Sequence, residues 1–333
     1  MNIYDIARLA NVSIATVSRV VNGSAKVSEK TRQKVLSIIE QEGYTPNVFA
    51  QGLGLHTMHT IGILVPTIAD PYMSCAVSYL EDHLQFYGYD CILSCSGFEQ
   101  ASKEAHVQML LSKHIDALIL VGSTYSGHGK SDNETEYIRT AAQQIPVFVV
   151  NGVISGSSIY SSVSCDRQAV CSAVSALLTR GRKKILFLTD SRSYSAAEKR
   201  NGYEQAFRSQ GLAVPRSLIH HVPDDIHAVR DYLLEHSLSF DAVVATDDTI
   251  AVGAVKYAAA AHLRIPEDLA VIGYNNSALA ISSEPELTSI DNRISELCQE
   301  TIAHLIAVLN GNTNVPQCFT VPCQLIQRST TCF

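Results

Sequence analysis

The chain has 333 residues, of which 46% are hydrophobic, and a formal net charge of −7 at neutral pH. This length and composition can form two or three domains with sizeable cores, and no apolar run approaches the ~18 residues of a membrane span, so we expect none. The nine cysteines include no CxxC pair, which predicts buried thiols in a reducing cytoplasm rather than disulfides or a metal site. The N-terminus enters a helix that contains Asp5 instead of an apolar signal sequence, which also favours a cytoplasmic protein.

Three short helices are predicted in the first 45 residues. The first covers residues 2–10, and the second follows a turn at Ser13, whose hydroxyl can cap it. Apolar residues of the second helix form one narrow stripe, and polar residues occupy the rest of its surface. A third helix covers residues 29–42. This pattern is typical of a helix-turn-helix domain, whose second helix fits the major groove of DNA, although a three-helix lobe without a role in DNA binding has the same spacing.

The N-terminal part of the chain has a net positive charge, although the whole chain is acidic. Residues 1–59 hold six basic and four acidic side chains, a net charge of +2, whereas the remaining residues carry −9. A local basic patch favours a nucleic-acid partner, and its modest size predicts that two copies bind DNA together.

From residue 60 onward, apolar strands alternate with helices. Continuous apolar strands between helices indicate parallel sheets that are covered on both faces, and the pattern restarts near residue 169, which predicts two doubly wound units. Strands are predicted at residues 61–65, 91–94, 117–121, 147–150, 185–188, 218–221, 242–245, 270–274, 319–321 and 324–326.

Motifs of catalysis are missing from the sequence. It contains no GxxxxGK[ST] loop, no GxGxxG after the first strand and no GxSxG elbow. Asp247 and Asp248 are adjacent and follow a strand, so we interpret them as a helix cap rather than a catalytic pair. We therefore expect that the protein is not an enzyme, binds no cofactor and has no catalytic or metal-binding residue.

Several stretches near the N-terminus together resemble the headpiece of the lactose-repressor (LacI/GalR) family of bacterial transcription regulators. They are residues 3–7, 12–13, 15–20, 22–23, 27–28, 31–32 and 43–47. A weaker similarity continues along the rest of the chain. The resemblance implies an α/β protein in three parts: a helix-turn-helix headpiece at 1–45, a hinge helix and linker at 46–58, and an effector-binding and dimerisation core at 59–333.

The predicted core resembles periplasmic sugar-binding proteins, in which the chain crosses three times between two lobes. We expect an N-lobe of residues 59–161 and 292–320 and a C-lobe of residues 162–289 and 323–333. The crossings are predicted near residues 161–164, 289–292 and 320–323. The ligand of such a fold lies between the lobes, at the carboxyl ends of the strands.

The resemblance also implies which residues contact DNA. Ile14, Ala15 and Arg19 take the base-reading positions, and Arg19 can bond a guanine through both arms of its guanidinium. Leu53 matches the hinge leucine that wedges open a base step in the minor groove. The full predicted set is Ser13, Ile14, Ala15, Thr16, Ser18, Arg19, Asn22, Lys26, Ser28, Thr31, Asn47, Gln51 and Leu53.

Effector contacts are implied in the same way. The predicted residues are Asp70, Tyr72, Met73, Asn151, Lys199, Arg200, Asp247, Asn275 and Asn292. Relatives commonly carry an arginine where Lys199 stands, and lysine lacks the planar fork of arginine. They often carry aspartate in place of Asn151 and Asn275. These two exchanges remove negative charge and suggest a ligand with acceptor groups, such as a modified or acidic sugar, or a reduced need for a neutral sugar.

The resulting prediction is a homodimeric repressor controlled by a sugar-like metabolite. Since no heptad repeat follows residue 309, a dimer is expected rather than a tetramer. Ligand-driven closure of the cleft would change how the two hinges meet on DNA. Control by a phosphorylated partner protein is the alternative. A sugar-binding receptor that delivers ligand to a transporter fits less well, because the chain starts with a DNA-binding pattern.

Overall fold

The computed structural model describes residues 2–21, 24–44, 57–127 and 132–332. The three N-terminal helices form as predicted, with α1 at Ile3–Ala10, α2 at Ile14–Val21 and α3 at Glu29–Gln41. They share one small core, in which Ile6, Val17 and Val35 are completely buried. The predicted hinge segment at 46–58 lies outside the described residues except for its last two positions.

Side-chain caps set where these helices begin. Asn2 accepts bonds from the backbone N–H groups of Tyr4 and Asp5, and the Asp5 carboxylate accepts the N–H of Asn2 in return. Ser28 caps α3 by accepting the Thr31 N–H. These bonds satisfy donors that the first helical turn leaves without a partner, which is why short helices of this kind can form in a small domain.

The first lobe is built on a six-stranded sheet. Its strands are β1 (Thr60–Val65), β2 (Asp90–Cys95), β3 (Ala117–Val121), β4 (Val147–Val150), β5 (Ile159–Ser164) and β11 (Cys318–Val321), and its helices are α4 (Pro71–Phe86), α5 (Gln100–Leu111), α6 (Glu136–Ala142) and α12 (Ile294–Leu309). The strand order is β11-β5-β4-β3-β1-β2, and every neighbouring pair is parallel.

The second lobe repeats this plan. Its strands are β6 (Ile185–Thr189), β7 (Ile219–His221), β8 (Ala242–Ala245), β9 (Ala270–Tyr274), β10 (Thr288–Asp291) and β12 (Gln324–Ile326), and its helices are α7 (Asp166–Thr179), α8 (Tyr194–Ser209), α9 (Ile226–Glu235), α10 (Asp248–Ala260) and α11 (Ala278–Ser282). The order is β12-β10-β9-β8-β6-β7. The predicted α/β class with two parallel-sheet lobes is confirmed, and β12 is antiparallel to β10.

Two strands were not predicted. Residues 161–164 and 289–292 were interpreted only as crossings, yet most of them belong to β5 and β10, and the chain leaves each strand for the other lobe immediately afterwards. Both strands are rich in serine and threonine, which hides the apolar pattern of a buried strand. The hydroxyls find partners instead: Ser162 bonds Thr301 at 2.7 Å, and Ser289 donates to Asp248 at 2.7 Å.

The long helix α12 returns to the first lobe. Leu297, Ile302 and Leu305 are buried in the same core as β1 and β3. The chain then re-enters the first sheet as β11 and passes to the second sheet as β12. Each lobe is therefore discontinuous in sequence; the exact domain limits stay predictions. In the described ranges, no helix combines the length and apolarity needed to cross a membrane.

Candidate functional site

The outward face of α2 carries the predicted base-reading residues. Val17 and Val20 point into the headpiece core with at most 3% of their surface exposed, and this orientation turns Ile14, Ala15 and Arg19 outward. Ile14 keeps 41% of its surface exposed although it is a large apolar residue. The helix therefore presents a mixed apolar and cationic face that can meet base edges in a groove.

Four other predicted DNA contacts lie around two helix N-termini, namely Ser13, Thr16, Ser28 and Thr31. Ser13 caps α2, since its hydroxyl accepts the Thr16 N–H at 3.2 Å and bonds the Thr16 hydroxyl at 2.9 Å. Ser28 and Thr31 repeat this arrangement at α3, with hydroxyls 2.8 Å apart. Free N–H groups and the positive end of the helix dipole favour phosphate at such positions.

The other predicted DNA contacts divide into two groups. Ser18 is half-buried on α2, and Lys26 is exposed in the loop before α3. That loop is held by Arg32, whose guanidinium donates to the Ser24 carbonyl at 2.6 Å. Asn22, Asn47, Gln51 and Leu53 lie outside the described residues.

A cleft separates the two lobes at the carboxyl ends of their strands. Its larger cavity has a volume of about 650 Å³ and lies between residues that follow β1, β3 and β4 of the first lobe and β6 to β9 of the second. A neighbouring cavity of about 470 Å³ shares Tyr72, Asp247, Thr249 and Asn275 with it. This is where open α/β sheets bind ligands.

Seven of the nine predicted effector residues line the larger cavity. They are Asp70, Tyr72, Met73, Asn151, Lys199, Asp247 and Asn275. Arg200 points away from the cleft and pairs with Glu204 at 3.1 Å. Asn292 is also outside the lining; it is 3% exposed and lies behind Asn275.

Asn275 is held between two other polar side chains. Its amide nitrogen donates to Asp247 at 2.6 Å, and its amide oxygen accepts from Asn292 at 2.8 Å. Asp247 also caps α10 by accepting the Thr249 N–H at 2.6 Å. Asn275 thus fixes the position of the Asp247 carboxylate as well as facing the cavity.

Lys199 is buried beneath the floor of the cleft. Its ammonium donates to the Thr246 carbonyl at 2.9 Å and lies 3.7 Å from the centre of the Tyr274 ring. Below it, the buried Asp166 accepts bonds from Tyr274 at 2.6 Å and from Ser195 at 2.5 Å. Burial raises the pKa of Asp166, and the charge of Lys199 acts in the opposite direction. The charge of Lys199 thus acts on the buried Asp166 and also on Asp247 at the cavity.

Four carboxylates remain on the cleft surface, from Asp70, Asp190, Asp224 and Asp247. Burial raises the pKa of Asp224 to about 7, and the charges of Asp247, Asp190 and Asp70 add to this shift. The pKa of Asp247 is raised by burial as well. Lys199 is thus the one basic side chain that the described cavity lining offers to an acidic ligand, and the ligand class stays a prediction.

Sequence reasoning missed Asp190 and Asp224. A signal was present, because Asp190 directly follows β6 and Asp224 lies three residues beyond β7, at the same sheet edge as Asp247. Among the described residues, no group of three or more histidine, cysteine, aspartate or glutamate side chains is arranged to hold a metal ion.

Known proteins match both parts of this architecture. Residues 2–47 match the family of bacterial regulatory proteins, lacI family, and residues 174–331 match a periplasmic binding protein-like domain. An HTH-type transcriptional regulator of Lachnoclostridium phytofermentans is 46% identical over 336 residues and is covered completely, as is this chain. Catabolite control protein A of Priestia megaterium is 33% identical, with 94% of each chain covered.

A solved structure has the same fold over almost the whole chain. The lac repressor dimer bound to operator and the anti-inducer ONPF superimposes with a TM-score of 0.88 at 23% identity, covering 99% of this chain and 98% of that chain. At this identity the likeness concerns the fold.

Proposed function

Because this chain belongs to the LacI family of bacterial transcriptional regulators, we propose that it represses transcription in the cytoplasm as a homodimer on a near-palindromic operator. We propose further that a sugar-like effector in the cleft controls it. That the chain is a DNA-binding regulator and not an enzyme follows from its family. The repressing direction, the dimer and the effector are the proposal.

The outward face of α2 is the observation that carries the DNA-reading role. Arg19 is exposed beside Ala15 and Ile14, and the buried valines fix its direction. A guanidinium can donate two bonds to guanine, and a methyl group can contact thymine, so this face can distinguish base pairs. The caps at Ser13 and Ser28 orient the helix termini toward phosphates, which sets register without reading sequence.

Charge supports the dimer. Residues 1–59 carry a net charge of only +2, which gives one headpiece few phosphate contacts and weak binding at physiological salt. Two headpieces on adjacent half-sites combine their contacts. The lac repressor structure named above is a dimer on its operator, and the similar fold supports the same assembly here.

The cleft supports control by a small molecule. A cavity of about 650 Å³ lined by carboxylates, hydroxyls and the Tyr72 ring suits a polyhydroxylated ligand. The alternative, control by a phosphorylated partner protein, does not need such a cavity. A screen of sugars and sugar derivatives against the full chain by thermal shift separates the two, since a ligand of the native state raises its melting temperature.

Operator reading is tested by selecting DNA from a randomised library with the full chain and then measuring salt-dependent binding. Arg19→Ala should lower the preference for the selected sequence by about tenfold or more, while binding to scrambled DNA changes little. Arg8→Ala is the matched control, because Arg8 lies on α1, is exposed and, among the described residues, pairs with Asp5. An unchanged preference in Arg19→Ala would refute the assigned reading face.

A further inference from the structure

We propose that the effector of this cleft is a polyhydroxylated amine, such as an amino sugar, whose ammonium group binds among Asp70, Asp190, Asp224 and Asp247. This inference rests on the proposed function, namely that the cleft holds the effector. It adds the charge of the ligand, which neither the family nor its members' names specify.

Acidic side chains outnumber basic ones around the cavity. Among the described residues that line it, Lys199 is the one basic side chain against four carboxylates. Lys199 is 7% exposed and already bonded to Thr246, with the buried Asp166 beneath it. Its charge acts on Asp166 and on Asp247, so it offsets only part of the negative charge around the cavity. Within the described residues, none of the four carboxylates is in an ion pair with a lysine, arginine or histidine, so each ionised carboxylate adds negative charge at the cavity.

Two of these carboxylates, Asp70 and Asp190, keep free acceptor sites. Asp70 uses one oxygen to cap α4, accepting the N–H groups of Tyr72 and Met73, and no bond to its other oxygen is seen in the described residues. Asp190 accepts one long bond of 3.4 Å from Thr246. A carboxylate can accept about four bonds. The cleft therefore offers several unfilled acceptors to a ligand that brings donors.

Neutral polar side chains line the same cavity beside the carboxylates. Ser123, Asn151 and Ser193 are among them. Hydroxyl and amide groups can both donate hydrogen bonds to ligand hydroxyls and accept them. This mixture of carboxylates and neutral polar groups points to a polyol that carries an amine rather than to a simple amine or a metal ion.

The raised pKa of Asp224 agrees with this assignment. Its causes are burial and the neighbouring charges of Asp247, Asp190 and Asp70. A bound ammonium group would relieve that repulsion, whereas a phosphate or carboxylate would add to it. The four carboxylates thus discriminate by charge, and an anionic sugar is excluded by repulsion from more than one side.

Calorimetric titration of the full chain tests the charge of the ligand. The probes are glucosamine, galactosamine and mannosamine, each compared with its neutral parent sugar, its N-acetyl derivative and the 6-phosphate of the parent. We expect one amino sugar to bind about tenfold or more tightly than its neutral and acetylated counterparts, and this advantage should shrink at high salt. Tighter binding of a neutral, acetylated or phosphorylated sugar, or binding by none of the amino sugars, would overturn the proposal.

Two variants locate the charge. Asp224→Asn should weaken binding of the amino sugar by about fivefold or more and change binding of the neutral sugar by less than about twofold. Glu235→Gln, an exposed charge-removing change at the end of α9, should affect neither. Equal losses for both sugars in Asp224→Asn would assign it a structural role and refute the charge contact.

Operator binding measured on the same samples separates this inference from the proposed function. If an amino sugar binds selectively but leaves the affinity for the operator unchanged, the proposed ligand class stands and the proposed control by an effector is refuted. If a neutral sugar selectively releases the protein from its operator, the proposed control by an effector stands and the proposed ligand class is refuted.

Discussion

Gly202 lies where α7 and α8 cross, and replacing it with alanine gives a sharp test of this packing. A Cβ atom at Gly202 would lie 2.2 Å from the backbone carbonyl oxygen of Arg167, and 3.0 Å from its carbonyl carbon. Because backbone atoms of a helix cannot rotate away as a flexible side chain can, the two helices must separate. The same helix α8 carries Lys199 and Ser195 to the cleft.

The expected magnitude follows from two opposing effects. Overpacking a well-packed site destabilises by about 1–3 kcal/mol, and the contact with backbone puts this case at the upper end. Alanine favours the helical state over glycine by about 1 kcal/mol. The net loss should be about 2 kcal/mol, which corresponds to a fall in melting temperature of roughly 5 °C.

Differential scanning calorimetry of the full chain measures this loss. Asn201→Ala is the matched control, because Asn201 is exposed on the same helix and gains the same kind of helical preference; its stability should change by less than about 0.5 kcal/mol. A Gly202→Ala variant that melts at or above the temperature of the unaltered chain would refute the tight crossing.

Three further predictions concern buried charge and backbone anchoring. Burial raises the pKa of Asp248, which is 1% exposed, to about 6. The protonated Asp248 carboxyl is the form that stabilises the fold, so its stabilisation is present below about pH 4 and is lost as the pH rises through 6. In urea unfolding, the destabilisation caused by Asp248→Asn should therefore shrink by about 3 kcal/mol over this range. Lys199→Met should destabilise by about 3 kcal/mol at neutral pH in the same assay. The loss should become smaller as the pH falls, because burial raises the pKa of Asp166 and protonation removes the carboxylate charge that Lys199 offsets. Asp116→Asn should raise amide exchange at Met58 about tenfold, because the carboxylate accepts that N–H at 3.0 Å.

Controls for these variants come from neighbouring exposed positions. Lys256→Met removes an exposed lysine of α10, and Asp90→Asn changes an exposed residue beside β1. A pH-independent effect of Asp248→Asn, an equal loss in Lys199→Met and Lys256→Met, or unchanged exchange at Met58 would each contradict the corresponding argument.

The three-helix headpiece and the alternating strands and helices could be predicted because their apolar residues repeat with the periods of those elements. Strand β5 could not be predicted in this way. Its serines can be buried because their hydroxyls bond partners from elsewhere in the chain, such as Thr301 of α12. No local sequence signal shows that such a partner is 139 residues away along the chain.

The candidate site was predictable where strand ends could be recognised. Lys199 and Arg200 were both proposed, although adjacent helical residues point about 100° apart and only one can face the cleft. The apolar residues Ala196 and Tyr203 lie on the face of Lys199, at spacings of three and four residues, so this choice was available from the sequence. The electrostatic interaction of Lys199 with Asp166 was not, since it depends on the contact between α7 and α8.

The late position of β11 and β12 governs how the chain can fold during synthesis. Strand β11 completes the first sheet by pairing Cys318 with Ser161, and β12 completes the second by pairing Ile326 with Ser289. Both are outermost strands, so each sheet gains its last strand only after the ribosome has released residues 318–326. The first-lobe core beneath α12 stays uncovered until residues 294–309 have been made. Contacts of such long sequence separation form slowly, so the first lobe of the nascent chain exposes apolar surface longer than the second, whose five parallel strands end at residue 291.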